Sequence, residues 1–256
     1  MSRPKRIWYK GAVYHVMSRG IRRKKIFADD DDYIFFLECI DTFMALHGFK
    51  VHSICLMTNH FHMIIETGDT TISKVMQDLL NAYAKYYNQK YGYHGHLFEG
   101  RFKSKLIEDE VYFLETSRYI HLNPVKACMV REILDYKYGS YAAFVNDPEY
   151  DKQIAYTKAE VLISQITTTS RILGFFRKNS REEYRMFVES RFNHALQEMM
   201  IQKDFREDDK WLPWEKQKEK GIIRENWCQA PHGSPHNSSL ASNAVSNPLH
   251  NYCLTY

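Results

Sequence analysis

Two histidines stand two residues apart in Thr58-Asn59-His60-Phe61-His62-Met63-Ile64-Ile65, inside a segment that otherwise reads as a buried strand. Strand side chains alternate between faces, so His60 and His62 project together with Cβ atoms about 7 Å apart, while Phe61, Met63 and Ile65 face a core. Two imidazoles so placed can converge on one metal ion. Further along, Tyr119 and Asn123 lie one helical turn apart on a face that also carries Tyr112 and Glu115. A phenol nucleophile and a metal-binding amide could both point from there toward the sheet. The same residues admit a plainer reading, in which Tyr119 packs and Asn123 caps a helix beginning at Pro124. On those two residues alone, the plainer reading is the stronger.

The chain that must position them has 256 residues, enough for one main domain and an extension. Lys and Arg number 35 against 31 Asp and Glu, so the net charge of +4 argues only weakly for a polyanionic partner. Its distribution says more. Arg3, Lys5, Arg6, Arg19, Arg22, Arg23, Lys24 and Lys25 crowd the N-terminal stretch, and Arg101, Lys103 and Lys105 form a second cluster. With 14% aromatic residues, 18 of them Tyr, a nucleic-acid surface that stacks bases beside cations is favoured over plain solvated charge. Five scattered cysteines, Cys39, Cys55, Cys128, Cys228 and Cys253, form no Cys-x-x-Cys pair and argue against a disulfide framework or a zinc ribbon. Neither a signal peptide nor an apolar run near the ~18 residues of a bilayer span is found. The expectation is a cytoplasmic protein with no membrane partner. No glycine-rich phosphate loop ends in Lys-Ser or Lys-Thr, so a nucleoside triphosphate has no support.

Read for elements, Ala12 to Ser18 is a strand ended by Gly20, and the acidic run Asp29 to Asp32 opens a helix as capping charge. Gly48 ends that helix, Phe49 to Met57 is a second strand, and a turn near Thr58-Asn59 leads into the histidine strand. An amphipathic helix spans about Ile72 to Tyr91. Phe102 to Ile107 is a fourth strand with its lysines alternating outward, and a helix from about Glu110 stops at Leu122 because Pro124 disfavours helical geometry at Asn123. The order β-α-β-β-α-β followed by a helix describes an α+β, ferredoxin-like antiparallel sheet with helices on one face. Beyond residue 145, Lys158 to Ile166 and Ser180 to about Lys203 read as helices, the second opened by a Ser180/Glu183 capping box. The division expected is therefore 1–145, a helical extension 146–210, and a disordered tail 211–256.

Taken together, His60-Phe61-His62, the Leu97 to Lys103 segment and Tyr119-Ile120-His121-Leu122-Asn123-Pro124-Val125-Lys126-Ala127 resemble the HUH single-tyrosine transposases, closest to the REP-associated branch. The likeness covers roughly residues 1–145, including the Ser18-Arg19-Gly20 turn and Tyr138 to Phe144. It implies a divalent metal, Mg²⁺ or Mn²⁺, held by His60, His62 and Asn123, with Tyr119 as nucleophile on single-stranded or hairpin DNA. Arg19, Arg22, Arg23, Lys24, Arg101, Lys103 and Lys105 are the candidate DNA contacts, and a homodimer is left open. The family generally has Gln where this chain has the shorter Asn123. Glu66 is in phase with the histidines but reads as an edge-of-site or surface residue, and His94, His96 and His121 read as structural, with a loop histidine near DNA left open. Two other classes stay open: a noncatalytic nucleic-acid-binding module on the same sheet scaffold, and a binuclear metallohydrolase, ranked last because Met63, Ile64 and Ile65 stand where it would need Asp and His.

Overall fold

Alternating side chains build four strands, β1 (Val13–Arg19), β2 (Lys50–Met57), β3 (His60–Glu66) and β4 (Lys103–Ile107). In this computed structural model, which describes residues 6–146, 156–177 and 180–191, they form one antiparallel sheet in the order β2-β3-β1-β4. That order is the ferredoxin-like one. The helices are α1 (Asp30–His47), α2 (Ile72–Tyr91), α3 (Glu110–Lys126), α4 (Tyr141–Val145), α5 (Lys158–Ile166), α6 (Ser170–Leu173) and α7 (Ser180–Glu189). No described helix is long and apolar enough to cross a membrane.

The two crossover helices cover one face of the sheet, as the pattern implies. Phe36 of α1 meets Phe61 of β3 at 5.1 Å between ring centroids, and Tyr83 of α2 meets Phe36 at 5.0 Å. The acidic run does cap α1: Asp29 accepts the Asp32 amide at 3.1 Å, and Lys90 of α2 pairs with Asp29 and Asp32 at 2.7 and 2.9 Å. An added helix, α3, lies across the opposite face, where Ser117 meets Ser53 of β2 at 2.8 Å.

The expected stop of α3 at Leu122 is corrected, because the helix continues through Pro124 to Lys126. An interior proline costs ~3 kcal/mol. Leu122 and Val125 are nevertheless 2% and 1% exposed, and burying two such side chains contributes about 1.5–3 kcal/mol each, so tertiary packing overrides the local preference. Asn123 is thus an interior residue and not the cap of a second helix. Its Nδ2 donates to the Tyr119 carbonyl at 2.7 Å.

A buried chain of polar groups fixes how α3 sits. Ser53 Oγ meets Ser117 Oγ, which lies 2.6 Å from Tyr184 Oη of α7; that hydroxyl is 2.8 Å from His121 Nδ1. His121 Nε2 is 2.9 Å from Ser140 Oγ, which accepts the Ile54 amide of β2 at 3.0 Å. Burial pushes the His121 imidazole down to about 3, so the neutral ring donates from one nitrogen and accepts at the other. His121 is structural, as expected.

Within the extension, α5 packs on α1, and α7 on α3 and α4. A capping box at Thr157 and Glu160 opens α5. For α7, Glu183 accepts the Arg177 amide at 3.1 Å and Ser180 is the first helical residue; the expected run to Lys203 and the tail lie outside the described residues. Glu66 ends β3 as an anchor for this region, bonded to His52 (3.0 Å), Lys50 (3.3 Å) and Arg171. Burial alone would raise its carboxyl, but the hydrogen bonds from His52 and Arg171 outweigh that and hold it at about 2.

Two consequences are measurable. Tyr184→Phe leaves Ser117 and His121 short of a buried partner and should cost about 1–3 kcal/mol of unfolding free energy in urea; an unchanged midpoint would show that the chain is not structural. Because the Glu66 carboxyl lies below its ordinary 4.5, its contribution is full above that pH and fades as pH falls toward 2. Glu66→Gln should therefore be less stable than wild type at pH 7, with the gap closing between about pH 4.5 and 2. A gap independent of pH would contradict this.

Candidate active site

Cross-strand partners share a face, so the register decides what surrounds the histidines. His62 sits opposite Met17 of β1 and Cys55 of β2, and His60 opposite Arg19 and Met57. On the other side of β1, Lys105 and Lys103 of β4 pair with His15 and Met17. The histidine face therefore also carries His15, Arg19, Lys103 and Lys105. The two lysines do alternate with Ser104 and Leu106, but the side they occupy is that of the histidines.

His60 and His62 do project together. Their ring centroids are 5.1 Å apart with the planes at 89°, and Tyr119 of α3 closes over them, its ring 5.5 Å from that of His62. His62 is 2% exposed; His60 and Tyr119 are half-buried. The pocket formed by the three rings is closed at His62 and more open at His60.

Each imidazole has a partner at Nδ1. His60 Nδ1 lies 2.6 Å from Asn59 Oδ1, and His62 Nδ1 lies 3.1 Å from Nε2 of His15. The Nε2 edge of each ring is turned away from these partners. Those are the atoms with which the pair could take a divalent ion. Burial, then the neighbouring rings of His15 and His60, holds His62 well below the ordinary histidine value. Burial, then Lys105, lowers His15 to about 4. Both rings are neutral at neutral pH, so a single N–H joins them, and a neutral imidazole is the form that ligates metals.

Burial raises the Tyr119 phenol above its usual value, while a hydrogen bond with the Asn123 side chain pulls the other way. Lys126 adds a positive charge 5.3 Å from the ring centroid. Tyr112, earlier on α3, instead sits against Lys105 at 4.0 Å. Glu115 turns to Arg118, so the face sharing anticipated for Tyr112, Glu115 and Tyr119 does not bring all three to the histidines.

Among the candidate DNA contacts, Arg19, Lys103 and Lys105 share the site face. Arg19 is paired with Glu99 at 2.9 Å. Arg22, Arg23 and Lys24 are exposed on a short 3-10 turn after β1, and that turn is bound to the one preceding His60: Gly20 donates to the Asn59 carbonyl at 2.8 Å, and Asn59 Nδ2 to the Arg23 carbonyl at 3.3 Å. Arg101 is exposed just ahead of β4.

His15 is the site residue that sequence reasoning missed. Its signal was a polar residue in phase with Met17 and Arg19 inside an apolar strand. Only the pairing of β1 with β3 gives that phase a meaning, and the pairing is not written in the local sequence.

Residues 9–123 match a family described as "Transposase IS200 like". No curated protein matches. Similar solved structures include a REP-associated tyrosine transposase bound to a REP hairpin, 19% identical over 62% of this chain and 93% of that one, with a TM-score of 0.49. Another is a putative transposase from Deinococcus radiodurans, 16% identical over 47% of this chain and 95% of that one, with a TM-score of 0.33.

Proposed function

We propose, from the match of residues 9–123 to the IS200-like transposase family, that this protein cuts and rejoins single-stranded or hairpin DNA through a 5′-phosphotyrosine on Tyr119. The observation that carries the reading is the convergence of His60, His62 and Tyr119 on one polar patch of an otherwise apolar interior. In the forward step a bond forms between Tyr119 Oη and phosphorus while the bond from phosphorus to the 3′ oxygen breaks. The phenol proton leaves to water, and the departing oxygen takes one up as a 3′-hydroxyl. Attack by the 3′-hydroxyl of another strand reverses the step and transfers the 5′ end. Phosphodiester energy is conserved throughout, so no nucleoside triphosphate is needed.

A buried phenol is a reluctant nucleophile. Lys126 and the Asn123 side chain favour its ionised form, and Arg19, Lys103 and Lys105 add positive potential on the same face for the phosphate. The donor set suits a divalent ion: two imidazoles with their Nδ1 atoms already partnered stand together, with the Asn123 amide one helical turn from the phenol. Among the described residues no three His, Cys, Asp or Glu side chains make a fuller site, so the remaining ligands would be oxygens of Asn123, water or phosphate. Bound there, Mg²⁺ or Mn²⁺ would neutralise charge on a nonbridging phosphate oxygen and align the scissile bond; imidazole ligation tilts the choice toward Mn²⁺. His15 is then a positioning residue. By accepting the N–H of His62 Nδ1 it keeps the Nε2 lone pair of His62 available and its ring oriented.

Tyr119→Phe should reduce cleavage of an end-labelled hairpin oligonucleotide to background with DNA affinity retained, because it removes the hydroxyl and keeps the ring. Cleavage at the wild-type rate would overturn the nucleophile assignment. His15→Leu should weaken calorimetric Mn²⁺ binding by roughly 10- to 100-fold, and His15→Gln, whose amide oxygen still accepts, should lose less. Equal Mn²⁺ affinity in wild type and His15→Leu would remove His15 from the account.

A further inference from the structure

A cleft of about 280 Å³ is lined by Ile21, Lys24, Lys25, Tyr87, Tyr93 and Leu97. Three segments make it: the turn after β1, the last turns of α2, and the loop leading toward β4. They are tied together by backbone bonds, since Ile21 donates to the Leu97 carbonyl at 2.9 Å and Tyr93 to that of Asn88 at 3.0 Å. The turn is tight enough to need glycine at its start. A Cβ on Gly20 would lie 2.1 Å from the Lys24 carbonyl oxygen. Further along the turn, Arg22 and Arg23 adopt left-handed backbone at φ 52° and 58°, a conformation that non-glycine residues take at a cost of order 1–3 kcal/mol each unless their surroundings hold them.

The lining has a distinct chemistry. Ile21 and Leu97 give an apolar floor, Tyr87 and Tyr93 are half-buried rings, and Lys24 and Lys25 are exposed ammonium groups at the rim. Lys24 Nζ lies 5.9 Å from the Tyr93 ring centroid, and Tyr87 is braced by Tyr91 at 4.5 Å. Aromatic rings beside cations are what an unpaired nucleotide requires, the base stacking on a ring and the phosphate meeting the charge. Just below the ~300–1,000 Å³ range of small-molecule sites, the cleft suits one base and not a stack.

We propose that this cleft binds a single unpaired nucleotide of the DNA strand, its base against Tyr93 and Tyr87 and its phosphate at Lys24 and Lys25. The turn that forms the cleft wall is bonded to Asn59, whose Oδ1 lies 2.6 Å from His60 Nδ1, so one residue links the cleft wall to the histidine pair. This rests on the DNA substrate proposed above, and it adds where an unpaired base is gripped.

The test compares two fluorescent oligonucleotides by anisotropy, an unstructured oligothymidylate and a blunt hairpin with no unpaired end. Tyr93→Leu and Tyr87→Leu should each weaken oligothymidylate binding roughly 10-fold, within the range of one lost base stack, and leave the blunt hairpin unaffected; Tyr93→Phe, which keeps the ring, should bind as wild type. As an independent arm on the unaltered protein, oligothymidylate carrying one 5-iododeoxyuridine is photocrosslinked and the modified residue found by mass spectrometry, with Tyr87 or Tyr93 expected. Full affinity in both leucine variants, together with crosslinks confined to other segments, overturns the cleft assignment while leaving the DNA substrate in place. Wild-type protein that binds neither oligonucleotide overturns both.

Discussion

The orientation of α3 depends on one buried run of hydrogen bonds, from Ser53 through Ser117, Tyr184 and His121 to Ser140. An apolar helix face can slide or rotate on a sheet at modest cost, because hydrophobic contact is not directional. A buried hydroxyl or imidazole cannot, since leaving one unpaired costs about 1–3 kcal/mol. The chain therefore selects one rotation of α3, and that rotation brings Tyr119 over His62. It also gives α7 a role in the site, because Tyr184 supplies the middle link.

The sheet divides its labour between faces. Toward α1 and α2 it shows Phe61, Met63 and Ile65, all fully buried, and this side supplies the apolar core. Toward α3 it shows His15, His62 and Ser53, also buried but polar, each satisfied by a specific partner. Polar burial of that kind contributes little net stability. What it provides is a set of neutral imidazoles and a phenol in fixed relation, screened from bulk water at one end and reachable at the other. The basic residues of β1 and β4 follow from the same period-two alternation, so Arg19, Lys103 and Lys105 place positive charge on the face that carries the histidines.

Much of this was legible in the residues. The limits of α2, with its glycine stop, match the expected Ile72 to Tyr91, and strand alternation alone joined His60 to His62. Capping chemistry explained Asp29 to Asp32. The failures came where nonlocal packing decides. Pro124 reads as a helix stop, yet Leu122 and Val125 bury enough surface to carry α3 past it. His15 reads as an incidental strand residue until β1 is set beside β3. Lys103 and Lys105 alternate as read, but which face is the functional one depends on the pairing of β4 with β1.

The central claim is that the phenol held over the histidine pair is the group that joins the DNA. Its most direct test is the identity of the tryptic peptide carrying DNA after wild-type protein is incubated with a cleavable hairpin oligonucleotide and Mn²⁺. Arg118 and Lys126 bound a peptide that contains Tyr119 and excludes Tyr112, which falls in the peptide ending at Arg118. The account predicts a 5′-phosphate linked within residues 119–126. DNA linked to the Tyr112 peptide, or cleavage with no covalent adduct on any peptide, would contradict it.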